Sequence, residues 1–305
     1  MASVTLTESA KLAQDDLVAG VIENVITVNR MYELLPFDGI DGNSLAYNRE
    51  NVLGDVQVAT VGDTITAKNA ATFTKVNSNL TTILGDAEVN GLIQATRSAT
   101  TDQEATQIAS KAKSAGRQYQ TMLATGDGTG NTFPGLMSLV DASQKVATGA
   151  NGGALSFVFL DELLDLVVDK DGQVDYITMN ARTIRSYKAL IRALGGVAAD
   201  DVYEMPSGNK VIAYSGVPIF RNDYLPIDQV KGSGSAQTTI FAGTFDDGSR
   251  SHGIAGLTAA NDAGIVIEDV GVHQSKDEHI TRVKWYCGLA LFSLKGLSAA
   301  DGITN

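Results

Sequence analysis

The stretch YQTMLATGDGTGNTFPGL, residues 119–136, joins the end of an apolar helical pattern to a glycine-rich turn. Upstream of it, Thr101 and Glu104 have the spacing of a capping box, which marks the start of a helix. Apolar residues then recur every three or four positions, as on one face of a helix. They are Ala105, Ile108, Ala109, Ala112, Ala115, Tyr119, Met122 and Leu123. Because small alanines dominate this face, we predict a long helix over residues 101–124 that packs closely on a sheet or another helix.

The turn after this helix contains Gly126, Gly128, Gly130, Pro134 and Gly135. Glycine loops can hold phosphate groups, but a P-loop carries a lysine followed by a hydroxyl residue and comes after a strand. This loop lacks that pair and follows a helix. We therefore predict a structural role for these five residues, as a helix cap and turn.

Helical and strand patterns alternate downstream of a flexible stretch at residues 148–153, which marks a domain boundary. Alternation of apolar residues predicts a final strand that is buried on both faces at its far end; the alternating residues are Val283, Trp285, Cys287, Leu289 and Leu291. The composition of residues 231–235 is typical of an exposed, mobile loop. Helices are predicted at 157–168 and from 184 to Gly195-Gly196, and strands at 174–179, 210–214, 217–220, 238–245 and 265–272. The order of these elements predicts an α+β fold.

The N-terminal third differs in character from the rest of the chain. Thr5 and Glu8 have capping-box spacing before a helical pattern, and Pro36 with Asp38-Gly39 predicts a turn. Residues 46–84 are rich in threonine and alternate like strands, but they have few bulky apolar side chains. A two-stranded ribbon is marginally stable by itself. This ribbon must therefore rest on its own domain or on another chain.

Composition narrows the function classes. The chain has 305 residues, 44% of them hydrophobic, and a net charge of −12, which disfavours a nucleic-acid-binding role. No apolar run is long enough to predict a membrane span, and residues 1–17 lack the pattern of a secretory signal. Cys287 is the single cysteine, so no internal disulfide is possible, as expected for synthesis in a reducing cytosol.

The sequence predicts no catalytic residue, no metal site and no cofactor. No Gly-x-Ser-x-Gly motif is present. The acidic pairs Asp200-Asp201 and Asp246-Asp247 are interpreted as charge in solvated loops, and Cys287 as a small core residue. The spacing of three aspartates matches no calcium loop and that of three histidines matches no zinc motif; these residues are Asp169, Asp171, Asp175, His252, His273 and His279.

Four stretches, taken in order, give the chain a family resemblance. They are residues 119–128 with 134–136, residues 176–180 with the helix after them, residues 216–226 with 241–245, and residues 281–297. On these residues the chain resembles the major capsid proteins of tailed bacteriophages, which have the Hong Kong 97-type fold. The resemblance implies an N-terminal arm at 1–45, an extended β-ribbon loop at 46–84, a peripheral domain with a long spine helix at 85–153 and 262–305, and an axial domain at 154–261.

The resemblance also implies partners and contact residues. Copies of the chain are expected to form hexamers and pentamers of an icosahedral shell in the virion, assembled in the cytoplasm of a bacterial host. The shell is expected to enclose double-stranded DNA without sequence-specific binding and to make no membrane contact. A separate scaffolding protein, a portal and a decoration protein are the other expected partners. The residues expected to contact neighbouring subunits are Val56, Val58, Thr60, Thr64, Thr66, Lys68, Phe73, Lys75 and Arg117.

Four further points concern crosslinking, alternative functions and the contact made by Arg117. Some relatives crosslink a loop lysine to an asparagine, but residues 274–279 contain no asparagine to pair with Lys68 or Lys75, so no crosslink is expected. The same fold also builds encapsulins, bacterial compartments that load protein cargo, and this is the main alternative. Arg117 could contact packaged DNA, an acidic group of a neighbour or solvent. An enzyme or ligand-binding protein on an α+β fold is the weakest alternative.

Overall fold

The computed structural model describes residues 31, 34–92, 95, 103–168, 172–193 and 201–304. The predicted first helix with Thr5 and Glu8 lies outside these residues. So do Thr101, the acidic residues Asp169, Asp171 and Asp200, and the pair Gly195-Gly196.

Helices and strands are numbered here in chain order. The helices are α1 (Gln103–Thr125), α2 (Leu136–Leu139), α3 (Phe157–Val168) and α4 (Ala181–Ala193). The strands are β1 (Phe37–Ile40), β2 (Ser44–Val52), β3 (Thr72–Asn79), β4 (Thr81–Asn90), β5 (Gly153–Ala154), β6 (Tyr176–Met179), β7 (Asp201–Glu204), β8 (Lys210–Tyr214), β9 (Val217–Arg221), β10 (Gln229–Lys231), β11 (Gly234–Gly243), β12 (Ile254–Ala259), β13 (Ile265–Val272), β14 (Glu278–Leu291) and β15 (Leu297–Thr304). The mixture confirms the predicted α+β class.

Sheet one is built around the long strand β14. Its strand order is β1-β12-β14-β13, and β4 pairs with β14 along the whole length of β4. Helix α1 packs on β4 and β14, and the rings of Tyr119 and Trp285 lie 4.5 Å apart between centroids. The alternating residues from Val283 to Leu291 are buried, which confirms the prediction for this strand.

Sheet two has the order β5-β15-β11-β6-β9-β8-β7, with β10 paired to β11. Helices α3 and α4 cover one face, where Leu160, Leu163 and Tyr187 pack against Ile177 and neighbouring strand residues. The other face joins the core under α1. The helix predicted at 157–168 is confirmed. The loop predicted at 231–235 is shorter than expected: Gly232 and Ser233 form an exposed turn, and the residues on either side belong to the hairpin strands β10 and β11.

The two sheets do not follow the boundary predicted at residue 262. Strand β12 precedes it but belongs to sheet one, and β15 follows it but pairs with β5 and β11 in sheet two. A strand pattern reports which side chains are buried and does not name the partner strand. The chain therefore crosses between the sheets more often than the patterns indicate.

The turn predicted at Pro36 and Asp38-Gly39 is wrong. Residues Phe37–Ile40 form β1, which runs parallel to β12. Pairing with β12 overrides the local turn preference of the Asp-Gly pair, and Asp38 also accepts two hydrogen bonds from Arg250. In the described part of the chain no helix is both long and apolar enough to cross a bilayer.

Candidate intersubunit surface

A two-stranded ribbon, residues 44–79, projects from sheet one. It consists of β2 and β3, which pair antiparallel from Ser44↔Asn79 to Val52↔Thr72; among the residues that the structure describes, neither strand pairs with a strand of the two larger sheets. Its tip, residues 53–71, contains no strand. The ribbon can therefore be stabilised by its own molecule only at its base.

The base of the ribbon is fixed to the far end of β14. The Tyr47 hydroxyl donates to the carbonyl of Leu291 at 2.8 Å, and its ring meets that of Phe292 edge-on at 5.1 Å. Arg49 donates to two carbonyls, to that of Leu291 at 2.5 Å and to that of Phe292 at 3.1 Å. Leu45 also packs against a small hydrophobic cluster at this position, formed by Ile40, Ala255, Leu257, Ala290 and Phe292. These contacts set the direction in which the ribbon leaves the body.

The tip of the ribbon exposes bulky apolar side chains to solvent. Val56, Val58 and Val61 are each at least 95% exposed. Leu53 and Ile65 in the tip, and Val52 and Phe73 on the strands beside it, are exposed by 58–72%. Exposed apolar side chains that cluster on one element mark a surface that another molecule covers.

Side-chain hydrogen bonds shape the tip. Gln57 Oε1 accepts from the amide of Thr66 at 2.6 Å, from its hydroxyl at 2.8 Å, and from the amide of Ala67 at 2.9 Å. Asp63 Oδ2 accepts from the amide and hydroxyl of Thr60 and closes a turn. The prediction of strands over residues 56–66 is wrong, because these side chains take the backbone donors that a strand ladder would use.

The structure brings most of the predicted contact residues together on the ribbon. All of them are exposed. Arg117 is the exception in position, since it lies on the exposed side of α1. Sequence reasoning missed Leu53, Val61 and Ile65, although they are the remaining bulky apolar residues of the tip. The predicted contact residues other than Arg117 lie on the tip or on β3, namely Val56, Val58, Thr60, Thr64, Thr66, Lys68, Phe73 and Lys75.

The glycine-rich loop folds back against the end of α1. A Cβ atom on Gly126 would lie 2.2 Å from the carbonyl oxygen of Phe133, and one on Gly135 would lie 2.2 Å from that of Met122. These contacts leave no room for a side chain. Gly128 and Gly130 have positive φ, and Pro134 pairs with Asp127 in an isolated bridge.

Asp127 orders the outer part of this loop. Its carboxylate accepts from the hydroxyl and amide of Thr129 and from the hydroxyl of Thr132. These donors, with the Thr129 hydroxyl as the largest cause, lower the pKa of Asp127 to about 2. The hydrogen-bonding groups of Asp127 are thus satisfied within the loop, and its carboxylate is charged at physiological pH.

Two of the chemically interesting residues lie in the interior. Cys287 is completely buried, and burial raises the pKa of its thiol to about 12, so it has no nucleophilic character. Asp246 is only 7% exposed, so its interpretation as solvated loop charge is wrong. It is buried because backbone amides of Gly248 and Arg250 donate to its Oδ2. Asp247, its neighbour, is exposed as predicted.

Comparison with known proteins gives similarity in structure alone. No protein-family model and no curated protein sequence matches the chain. The holo-SrpI encapsulin complex from Synechococcus elongatus PCC 7942 is similar with a TM-score of 0.68 and 17% identity, covering 90% of this chain and 86% of that chain. The capsid of the native GTA particle has a TM-score of 0.63 and 12% identity, covering 90% of each chain.

A chain of Microbacterium phage Oxtober96 is similar to the same extent, with a TM-score of 0.62, 15% identity and 90% coverage of each chain. These matches span both sheets and most of the chain's length. At such identities they establish the fold. The chain has the Hong Kong 97-type fold of capsid and encapsulin shell proteins.

Proposed function

We propose that this chain is a structural subunit that self-assembles into the icosahedral capsid of a tailed bacteriophage. The observation that carries the proposal is the ribbon, which is anchored at its base and exposes at least three valines at its tip. The fold, similar to known shell proteins, and the four stretches that resemble phage capsid proteins support it. The role is structural and not catalytic.

The energetics favour association through the tip. Burying one bulky apolar side chain contributes about 1.5–3 kcal/mol. Val56, Val58, Val61 and Phe73 would together contribute several such increments when a neighbour covers them. The tip and its receiving surface are different patches, and such contacts close into rings when the rotation closes. Repetition around a shell then makes modest single contacts cooperative.

The proposed partners follow from this assembly. Copies of the chain form hexamers and pentamers. A separate scaffolding protein, a portal and a decoration protein are the other proposed partners. The finished virion encloses double-stranded DNA. The net charge of −12 argues against sequence-specific binding, because the subunit as a whole repels phosphate. Assembly takes place in the cytoplasm of the bacterial host, without a membrane contact.

An encapsulin-type compartment is the second candidate function, favoured by the similarity to the SrpI encapsulin complex. Both functions use the fold to build a shell, and they differ in what the shell contains. Particles isolated from the native source distinguish them. Nuclease-protected DNA inside the particles supports the capsid, and a co-purifying protein cargo without DNA supports the compartment.

Substitution of two of the three tip valines, Val56 and Val58, tests the proposal. We expect V56D/V58D to form no shells by negative-stain electron microscopy, alone or with the scaffolding protein, because the aspartates cannot be buried against a neighbour. The parent and the apolar control V56I/V58I should form particles under the same conditions. Thermal unfolding of V56D/V58D should match the parent subunit, since the tip contributes nothing to the core. Normal shells from V56D/V58D, or a parent that remains monomeric in every condition, would contradict the proposal.

A further inference from the structure

The loop between β11 and β12, residues 244–253, has a fixed backbone at the junction of the two sheets. The amide of Thr244 donates to the carbonyl of Gly296 at 3.0 Å, and the amide of Ile254 donates to that of Thr244 at 2.8 Å. The amide of Asp246 donates to the carbonyl of Ile254 at 3.0 Å. The side chains at the start of this loop therefore have defined positions.

Asp246 presents a buried carboxylate oxygen that lacks a donor. Its Oδ2 accepts from Gly248 N at 3.0 Å and Arg250 N at 3.3 Å, while Oδ1 is buried and has no hydrogen-bond partner. Burying an unpaired carboxylate oxygen is costly. The cationic side chain of Arg250 in this loop donates to Asp38 through two bonds of 2.6 and 2.9 Å, and it donates none to Asp246 Oδ1.

Two further ligand groups lie beside Asp246. One ligand atom from each of Asp246, Asp247 and His252 lies within 4.8 Å of the other two. The Nδ1 atom of His252 is 3.0 Å from Ser251 Oγ. When Nδ1 carries the proton and donates to this hydroxyl, Nε2 keeps its lone pair for a metal, an arrangement that is usual for metal-binding histidines.

We propose that Asp246, Asp247 and His252 bind one divalent transition-metal ion, with Zn²⁺ as the best fit. One imidazole nitrogen and two carboxylate oxygens suit zinc, and a fourth position stays open to water. Zinc bonds of about 2.0–2.2 Å draw the three ligand atoms closer than they are without metal. The loop permits this movement because residues 247–251 are exposed. The spacing Asp-Asp-x₄-His is not a standard zinc motif, so the sequence did not predict the site.

The metal would stabilise the loop that connects sheet two to sheet one. Strand β11 ends just before the loop and β12 begins just after it, so a bound ion restrains both. The site lies on the subunit itself and does not depend on shell assembly. Its test is therefore independent of the proposed function.

Zinc titration of the full chain, stripped with EDTA, tests the site in competition with a chromogenic chelator. We expect one zinc per chain, and at least tenfold weaker binding by H252A and by D247N. His273→Ala is the matched control, because His273 is also a loop histidine whose Nδ1 lies near a serine hydroxyl. It should bind zinc like the parent. Zinc should raise the melting temperature of the parent and of H273A, and leave that of H252A unchanged.

Cobalt gives a second readout. Co²⁺ bound to the parent should show a visible absorption band that is missing in H252A and retained in H273A. D246N is the most direct variant, and H252A and D247N carry the test if D246N does not fold. The proposal is overturned if the parent binds no zinc at micromolar concentration, or if H252A and D247N bind it as tightly as the parent.

Discussion

An ion pair joins two strands of sheet one on the face away from α1. Arg282 on β14 donates to both oxygens of Asp86 on β4, at 2.7 and 2.8 Å. Hydrogen bonding from Arg282 is the largest cause that holds the pKa of Asp86 below its usual range. A carboxylate with a lowered pKa adds stability above its unfolded pKa, and this stability is lost as the pH falls through the folded pKa.

Replacing Asp86 with asparagine should therefore destabilise the subunit in a pH-dependent manner. Both side chains are about one-third exposed, so we expect a loss of only about 0.5–1 kcal/mol at pH 7. The difference from the parent should shrink as the pH falls from 5 towards 3. Urea denaturation at several pH values measures it, with Glu88→Gln, an exposed residue of the same strand, as the control. A difference that does not change with pH would contradict the assignment.

Burial of single residues could be predicted from the sequence only where a pattern reports it. Cys287 stands in a run of alternating apolar residues, and this run correctly places it in the core. Asp246 stands in a polar, glycine-containing segment, and nothing local indicates its burial. The cause is the fold of the loop, which turns the amides of Gly248 and Arg250 onto the carboxylate. Contacts of that kind exist only once the chain is folded.

The ribbon is the element in which local and long-range interactions are most clearly separated. Its base is fixed by Tyr47 and Arg49 to the end of β14, and its tip is ordered by its own side chains. The Gln57 side chain is central to the tip, because Oε1 accepts three bonds and Nε2 donates to the carbonyl of Thr64 at 3.1 Å.

Substitution of Gln57 with alanine should loosen the tip and leave the rest of the subunit unchanged. The amides of Thr66 and Ala67 lose their acceptor, so hydrogen exchange over residues 55–70 should become faster. Global stability should change by less than about 0.5 kcal/mol, as for most surface substitutions. Exchange measured by mass spectrometry checks this, and peptides from α1 serve as the internal control. Unchanged exchange at the tip would show that Gln57 does not order it.

Elements with a strong period could be predicted closely, and the ribbon tip could not. The helix predicted at 101–124 is α1, Gln103–Thr125, because its apolar stripe continues to the last turn. The alternation of Val56, Val58 and Thr60 also has a period, but no partner strand lies opposite these residues. Periodicity predicts a strand correctly only where a partner supplies the ladder.

At the scale of the whole molecule, the two sheets are interlocked along the chain. Strand β11 of sheet two is followed by β12, β13 and β14 of sheet one, and then by β15, which returns to sheet two beside β11. Each sheet contains strands that come before the other sheet's strands in the sequence and strands that come after them. We therefore expect one cooperative unfolding transition for the subunit.

Two probes can check this cooperativity. Trp285 is the single tryptophan of the chain and lies in sheet one, so its fluorescence reports on that sheet. Far-UV circular dichroism reports on all helices, including α3 and α4 on sheet two. The two guanidinium unfolding curves of the unassembled subunit should coincide in midpoint. Separated midpoints would show that the sheets unfold independently.

The place of β15 between β5 and β11 also determines when a newly made chain can complete sheet two. Translation produces β11 first, then the whole of β12 to β14, and only afterwards the strand that fills the gap. Until then β11 keeps an open edge, whereas the strands of sheet one, from which the ribbon projects, have all been made. Completion of sheet two therefore removes a strand edge that could pair with another chain, and this protection begins only when synthesis has reached β15.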